Sequence, residues 1–267
     1  MKRTAALLAL TLVSTLLLSC STKEADPFAG RLVDLSHAYD EQTVFWPTAD
    51  GFKLEKVAEG MTPGGFYYAA NNFSMAEHGG THLDAPVHFA EGHNTADQIP
   101  IEQLMGAGIV LDVSEKCARD ADYQVSAEDF AAWEREHGRL PEGSIILLRT
   151  GFGRRWPDRR SYMGTDERGA DAVAKLHFPG LHPDAARWLT RERSIKAIGL
   201  DTPSIDYGQS KLFESHRTLF ERNVPAFENL ANLEQLPAKG FHVVALPMKI
   251  KGGSGGPLRA VAIVRDK

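Results

Sequence analysis

The chain has 267 residues, 30 lysines and arginines against 35 aspartates and glutamates, and a formal charge of −5. That balance offers no basic surface for nucleic acid, and the 43% hydrophobic fraction is enough to bury a sizeable core. Two cysteines, Cys20 and Cys117, are too few for a disulfide-built scaffold.

At the start, Lys2 and Arg3 precede an apolar run that reaches Leu18 and stops at Ser19-Cys20. This pattern predicts a signal peptide over residues 1–19, too short to span a bilayer comfortably. Leu17-Leu18-Ser19-Cys20 resembles a bacterial lipobox, in which Cys20 becomes the new N-terminus and its thiol carries the lipid. Residues 20–29 are then a polar tether, and the protein is expected in the cell envelope, secreted across the inner membrane and held to a membrane only through its lipid anchor. Removing residues 1–19 takes the formal charge from −5 to −7. Cys117 is left without an intramolecular partner, as a partly buried, inert thiol. Residues 30–267 contain no Ser/Gly/Pro-rich linker and read as one domain.

Five short apolar runs have strand length: Gly108 to Val113, Ser144 to Arg149, Ile195 to Leu200, His242 to Ile250 and Leu258 to Val264. Two amphipathic helices lie between them. One starts at the capping residue Ser126 and ends before Gly138; the other starts at Pro183 and carries Ala185, Ala186, Trp188 and Leu189. The class is α/β, a single domain with a mixed β-sheet and flanking helices.

Chemistry concentrates in His78-Gly79-Gly80-Thr81-His82-Leu83-Asp84-Ala85-Pro86-Val87-His88-Phe89, which holds three of the ten histidines within eleven residues. The two glycines and Pro86 oppose a helix, so the segment is expected to be a glycine turn leading into a strand. There His82 and Asp84 fall on one side, and the turn lets His78 join them. Two imidazoles and a carboxylate suit a divalent ion such as Zn²⁺, Mn²⁺ or Fe²⁺ and leave a position open for water and substrate. A lone histidine is more often a satisfied core residue; three at this density point to a site. His88, just past Pro86, is placed to act as a proton shuttle, or to serve as a further ligand or a partner of one.

The pattern His-x-Gly-Thr-His-x-Asp-x-Pro-x-His resembles the signature of the cyclase family, which includes bacterial kynurenine formamidase and isatin hydrolase. The likeness extends to Val44-Phe45-Trp46-Pro47, to Leu200-Asp201-Thr202-Pro203-Ser204-Ile205-Asp206, and to His216 twelve residues before Glu228 in Phe227-Glu228-Asn229-Leu230. The resemblance implies a swivelling β/β/α fold, homodimers or larger homo-oligomers, and metal binding by His78, His82 and Asp84 with His88 as proton donor and acceptor. It also implies that His216 and Glu228 bind a second metal together with a bridging aspartate, and that Trp46 packs on an aromatic substrate. Taken by itself, Glu228 could move a proton, bind metal or orient an imidazole, and the site could hold one ion or two. Phe45, Phe66 and Tyr67 could line an apolar pocket or be ordinary core residues. The basic loop Arg154–Arg160 is expected to be solvated, although the resemblance implies that a loop in this region can approach the site.

The expected function is a metal-dependent amidohydrolase, with Zn²⁺ or Mn²⁺, attacking a small aromatic amide through metal-activated water. Asp206-Tyr207-Gly208-Gln209-Ser210, with Phe213 and His216, is similar to the isatin-hydrolase side of the family, which favours ring-opening of a cyclic amide over hydrolysis of an aryl formamide. The alternative is a metal-dependent solute-binding lipoprotein without turnover; against it stands His88, since a binding protein needs no proton shuttle.

Overall fold

The computed structural model describes residues 29–265, so the expected signal peptide and Cys20 lie outside the described residues. The strands are β1 (Arg31–Asp34), β2 (Lys53–Met61), β3 (Tyr67–Ser74), β4 (His82–Asp84), β5 (Met105–Asp112), β6 (Gln124–Val125), β7 (Ile145–Arg149), β8 (Gly180–Leu181), β9 (Ala197–Leu200), β10 (Ala226–Glu228), β11 (Lys239–Pro247) and β12 (Gly255–Val264). The α-helices are α1 (Ser114–Arg119), α2 (Ala127–His137), α3 (Arg159–Met163), α4 (Pro183–Glu192) and α5 (Glu214–Phe220).

The apolar runs form the middle of an eight-stranded mixed sheet with the order β1-β12-β11-β5-β7-β9-β10-β4. Its β5, β7, β9 and β10 are parallel neighbours. The first residues of β12 also pair with β4, so the sheet closes on itself, and β1 takes the same edge of β12 further along. Strand residues alternate between two cores, as a period of two requires. Ile109, Leu111, Ile146, Leu148, Ile198 and Leu200 pack with helix residues such as Phe130, Leu189 and Leu219. Val110, Ile145, Leu147 and Ala197 turn the other way, toward Leu83, Phe227, Val243 and Ala262.

Both anticipated helices are present. Ser126 and Asp129 form a reciprocal capping box at the start of α2, Gly138 ends it, and Pro183 occupies the first turn of α4. Strand boundaries shift by one to three residues, and at β11 and β12 the reason is plain. β11 runs from Lys239 to Pro247 rather than from His242 to Ile250, because the chain turns back beyond Pro247, where the Gly253 amide donates to the Ile250 carbonyl at 3.1 Å. β12 begins at Gly255 rather than Leu258, because Gly255, Gly256 and Pro257 pair with β4. Cys117 is fully buried rather than partly so, and burial pushes its thiol up to about 12.

β2 and β3 form a separate two-stranded hairpin that sequence reading did not anticipate. Its side chains, including Leu54, Val57, Met61, Phe66, Tyr67, Tyr68 and Phe73, are exposed. Phe66 and Tyr67 therefore sit at the hairpin tip and are not among the residues lining the cavity over the histidine cluster.

Candidate active site

β4 brings the site together. His82 and Asp84 share one face of the strand, while Leu83 between them is buried in the opposite core. β4 lies antiparallel to β10 in a register that sets His82 opposite Glu228. Directly opposed residues project to the same side of a sheet, so this register delivers the Glu228 carboxylate to the histidine. The turn before β4 depends on close backbone approach. Gly80 has φ +59°, and a Cβ there would lie 2.3 Å from the Tyr39 ring; a Cβ at Gly79 would lie 2.0 Å from Phe45. The Tyr39 hydroxyl donates to the Thr81 carbonyl at 2.5 Å, and the Thr81 hydroxyl donates to the Asn229 carbonyl at 2.7 Å.

The ligand-type atoms of His78, His82 and Asp84 all lie within 4.8 Å of one another, and so do those of Asp84, His216 and Glu228. Asp84 is common to both sets. Its Oδ1 lies 2.6 Å from His78 Nδ1 and 3.1 Å from His82 Nε2, and its Oδ2 lies 3.2 Å from His216 Nε2. His216 Nε2 is also 3.2 Å from Glu228 Oε1, which accepts the Ile205 amide at 2.7 Å. His216 reaches the cluster from α5. The Asp206 carboxylate accepts from the Ser215 and His216 amides at the start of that helix, both at 3.1 Å, and from His216 Nδ1 at 2.6 Å.

The electrostatics of the cluster call for a cation. Burial would raise the Asp84 carboxyl, yet the charges of His78 and His82 and bonds from His216 and His78 hold it well below the usual range. Glu228 is raised, first by burial and then by the charge of Asp84. Burial lowers His82, but Asp84 and Glu228 outweigh it and lift the imidazole to about 9; His216 is lifted well above its ordinary value, mainly by Asp206 once burial is overcome. Among the described residues the ion-pair partners of the Asp84 and Glu228 carboxylates are imidazoles, with no lysine or arginine among them. His82 Nε2 is buried without a hydrogen-bond partner, aimed between the carboxylates of Asp84 and Glu228. Imidazole and carboxylate donors in this arrangement fit a divalent ion.

His88 occupies a short turn of 3₁₀ helix begun by Pro86, and its ring stacks on His78 at 3.9 Å between centroids. Burial pushes its imidazole down to about 3, against the pull of Asp84 and with help from the neighbouring histidines. Neither ring nitrogen of His88 finds a hydrogen-bond partner among the described residues, so both are uncommitted and open to water or substrate.

A cavity of about 310 Å³ opens over the cluster. Val44, Trp46, Ala49, Phe89, Pro203 and Phe213 supply its walls, and no lysine or arginine lines it. Trp46 is half-buried there and meets Phe178 edge-on. Phe45, also at the wall, is held from behind: Arg159 Nη1 donates to its carbonyl at 2.8 Å. The basic loop is therefore solvated only in part, since Arg159 reaches the backbone behind the cavity. Sequence reading missed Phe89 and Phe213 as walls, Asp206 and Ser254 as residues touching the histidines, and Glu77 as the residue that holds Ser254. The one local signal for Ser254 is its place within Gly252-Gly253-Ser254-Gly255-Gly256. Asp201, by contrast, serves the scaffold, accepting from the Thr150 amide and hydroxyl, both at 2.7 Å.

Residues 33–207 match the Cyclase family profile. The chain is 34% identical over 220 residues to isatin hydrolase of Roseibium aggregatum, covering 79% of this chain and 81% of that one. It is 28% identical over 233 residues to kynurenine formamidase of Bacillus cereus, covering 86% and 95%. Among solved structures, isatin hydrolase A from Labrenzia aggregata bound to benzyl benzoate superposes with a TM-score of 0.80 at 35% identity, covering 88% of this chain and 94% of that one. All three are hydrolases, and the alternative of a solute-binding protein without turnover finds no support among them.

Proposed function

The chain belongs to the Cyclase family, and from that premise we propose that it opens the ring of a small, neutral, aromatic cyclic amide. It is a metal-dependent amidohydrolase acting on carbon–nitrogen bonds other than peptide bonds. The observation that carries the narrower reading is the cavity wall: apolar, aromatic and without a lysine or arginine among the described residues. An amino-acid side arm like that of formylkynurenine would bring a carboxylate into a cavity whose walls offer no lysine or arginine to pair with it. A neutral fused ring brings none. Binding of benzyl benzoate, a neutral aromatic carbonyl compound, by the structural relative supports the same substrate shape.

His78, His82 and Asp84 would hold the ion, with His216 and Glu228 completing a second set that shares Asp84. When bound, a divalent cation lowers the pKa of water and polarises a carbonyl. Trp46 forms a wall for the aromatic ring, and the apolar walls keep bulk water off the scissile bond. His88, unpaired, stacked on His78 and lining the cavity, is placed to take the proton from the attacking water at a ring nitrogen and hand it to the departing amide nitrogen. Zn²⁺ and Mn²⁺ both suit the donor set.

Turnover of isatin and of N-formylkynurenine, measured in parallel after loading with Zn²⁺ or Mn²⁺, tests the reading. Isatin should be consumed at least about tenfold faster, the ratio that about 1.4 kcal/mol of discrimination gives; faster consumption of formylkynurenine would reverse the assignment of substrate.

Two further readings complete the proposal. The lipobox resemblance at Cys20 makes the protein an envelope lipoprotein, and Cys20→Ser should move it out of the membrane fraction; retention there would remove the anchor. The exposed apolar hairpin supports a homodimer, in which a second copy covers β2 and β3.

A further inference from the structure

Each of the three clustered imidazoles has one nitrogen tied outside the cluster. His216 gives Nδ1 to Asp206 at 2.6 Å, and His82 gives Nδ1 to the Gly80 carbonyl at 3.0 Å, so both present Nε2 inward. His78 is turned the other way round. Its Nδ1 faces Asp84, and its Nε2 lies 2.9 Å from the Ser254 hydroxyl.

Ser254 is far from β4 in sequence and is itself held. Glu77 Oε2 accepts both the Ser254 amide at 3.0 Å and the Ser254 hydroxyl at 2.6 Å. A hydroxyl has one proton. With that proton committed to Glu77, Ser254 Oγ can meet His78 Nε2 only as an acceptor, which keeps the proton on Nε2 and leaves the Nδ1 lone pair toward the cluster.

The surrounding backbone is shaped for this contact. The Ser254 carbonyl accepts the Ala85 amide at 2.8 Å and the Gly253 carbonyl accepts the Ala96 amide at 2.9 Å, fastening the loop to the segment that follows β4. A Cβ at Gly255 would lie 2.7 Å from His78 Cε1, and one at Gly253 would lie 2.8 Å from a Glu77 carboxylate oxygen. Side chains at either position would push the loop off the ring.

We infer that Ser254, fixed by Glu77, is a positioning residue that sets His78 to bind the metal through Nδ1. This rests on the metal-dependent reading above and extends it to residues outside the ligand sets. Neither Glu77 nor Ser254 is among the residues lining the cavity, and the ligand side chain that the Ser254 hydroxyl meets is His78.

The test is metal affinity rather than turnover: calorimetric titration of metal-free protein with Mn²⁺ and with Co²⁺, the latter followed also by its visible absorption. Ser254→Ala should weaken binding by about 10- to 100-fold, the usual effect of removing a partner of a ligand imidazole, and change the Co²⁺ spectrum. Ser254→Thr, which keeps the hydroxyl, should restore both. Should Ser254→Ala fail to fold, Glu77→Gln gives a second reading, with weakened affinity expected because the Ser254 proton is less firmly held. Parent-like affinity and spectrum in a folded Ser254→Ala or Glu77→Gln protein would overturn the inference. Failure of the parent itself to bind either ion would overturn the metal-dependent reading instead, and so the two failures are distinguishable.

Discussion

The β2–β3 hairpin and strand β4 are separated by seven residues and are ordered in opposite ways. The hairpin has strands of nine and eight residues that pair only with each other, and it leaves large apolar side chains in water. β4 has three residues, all buried, paired on one side with β10 and on the other with β12. Strand length therefore says little about where the chain is held firmly. An isolated two-stranded ribbon is marginal in water, whereas three residues locked between two neighbours can carry ligands to within hydrogen-bonding distance of one another. Order in β4 comes from within the chain, whereas on the proposed homodimer the hairpin would take its order from a second copy.

The largest effect is expected where that contrast meets the chemistry. His88→Ala removes the unpaired imidazole beside the β4 ligands without touching a ligand, so metal content should stay at the parent level while turnover falls by about 10²- to 10⁴-fold. Metal analysis and steady-state kinetics on one preparation check both halves. Undiminished turnover would remove the proton-transfer role.

A second change attacks the packing that holds β4. Gly255 pairs with Asp84, and a Cβ there would lie 2.5 Å from the Leu83 carbonyl. Backbone cannot move aside as a side-chain tip can, so Gly255→Ala should destabilise the fold by about 1–3 kcal/mol. For a chain of this size that is roughly 2–4 °C in Tm for each kcal/mol. A Tm equal to the parent's would show that the β4–β12 seam is looser than its contacts imply.

The pH dependence of stability gives a smaller and more selective probe of the same buttress. His37 donates its amide to the Thr81 hydroxyl at 2.9 Å, next to β4, and its ring lies parallel on Trp156 at 4.2 Å. Burial pushes its imidazole down to about 4, with Asp34 opposing, and its Nε2 is buried without a partner. Between about pH 6.5 and 4 the unfolded chain therefore binds a proton that the folded chain refuses. The stability that His37 contributes is complete above about 6.5 and is lost as pH falls toward 4. Allowing for partial exposure, the change is roughly 1–2 kcal/mol. His37→Phe keeps the stacked ring and cannot titrate, so the Tm difference between pH 7 and pH 5 should narrow by about 3 °C. An unchanged difference would place the acid sensitivity elsewhere.

The same contrast explains what could be read from the sequence. β5, β7 and β9 were legible because strands buried on both faces are continuous apolar runs, as in Ile145-Ile146-Leu147-Leu148. β4 was legible only through its chemistry: His82 and Asp84 break any apolar pattern, and the alternation that puts them on one face is visible because Leu83 separates them. The hairpin was not legible, since Leu-Glu-Lys-Val-Ala-Glu-Gly-Met satisfies no burial pattern when the apolar residues stay outside. His216 and Glu228 came from family resemblance, because their meeting depends on the β4–β10 register, which no local spacing reveals. Glu77 and Ser254 are ordinary residue types 177 positions apart, joined only by the closure of the sheet.

The smallest effect on folding, and the sharpest test of the contrast, lies at the hairpin itself. Met61 and Tyr67 are cross-strand partners near the tip, 69% and 60% exposed. In a lone chain, replacing both with serine removes almost no buried area, so stability should change by no more than about 0.5 kcal/mol. If a second copy covers the ribbon, the same pair sits at an interface, where aromatic and methionine side chains contribute heavily. Sedimentation at micromolar concentration should then show a dimeric parent and a largely monomeric Met61→Ser/Tyr67→Ser protein with unchanged secondary structure. A parent that sediments as a monomer would leave the ribbon without its second copy. A double variant that stays dimeric would move the interface elsewhere on the surface, and the hairpin would need a different occupant to account for its exposed apolar face.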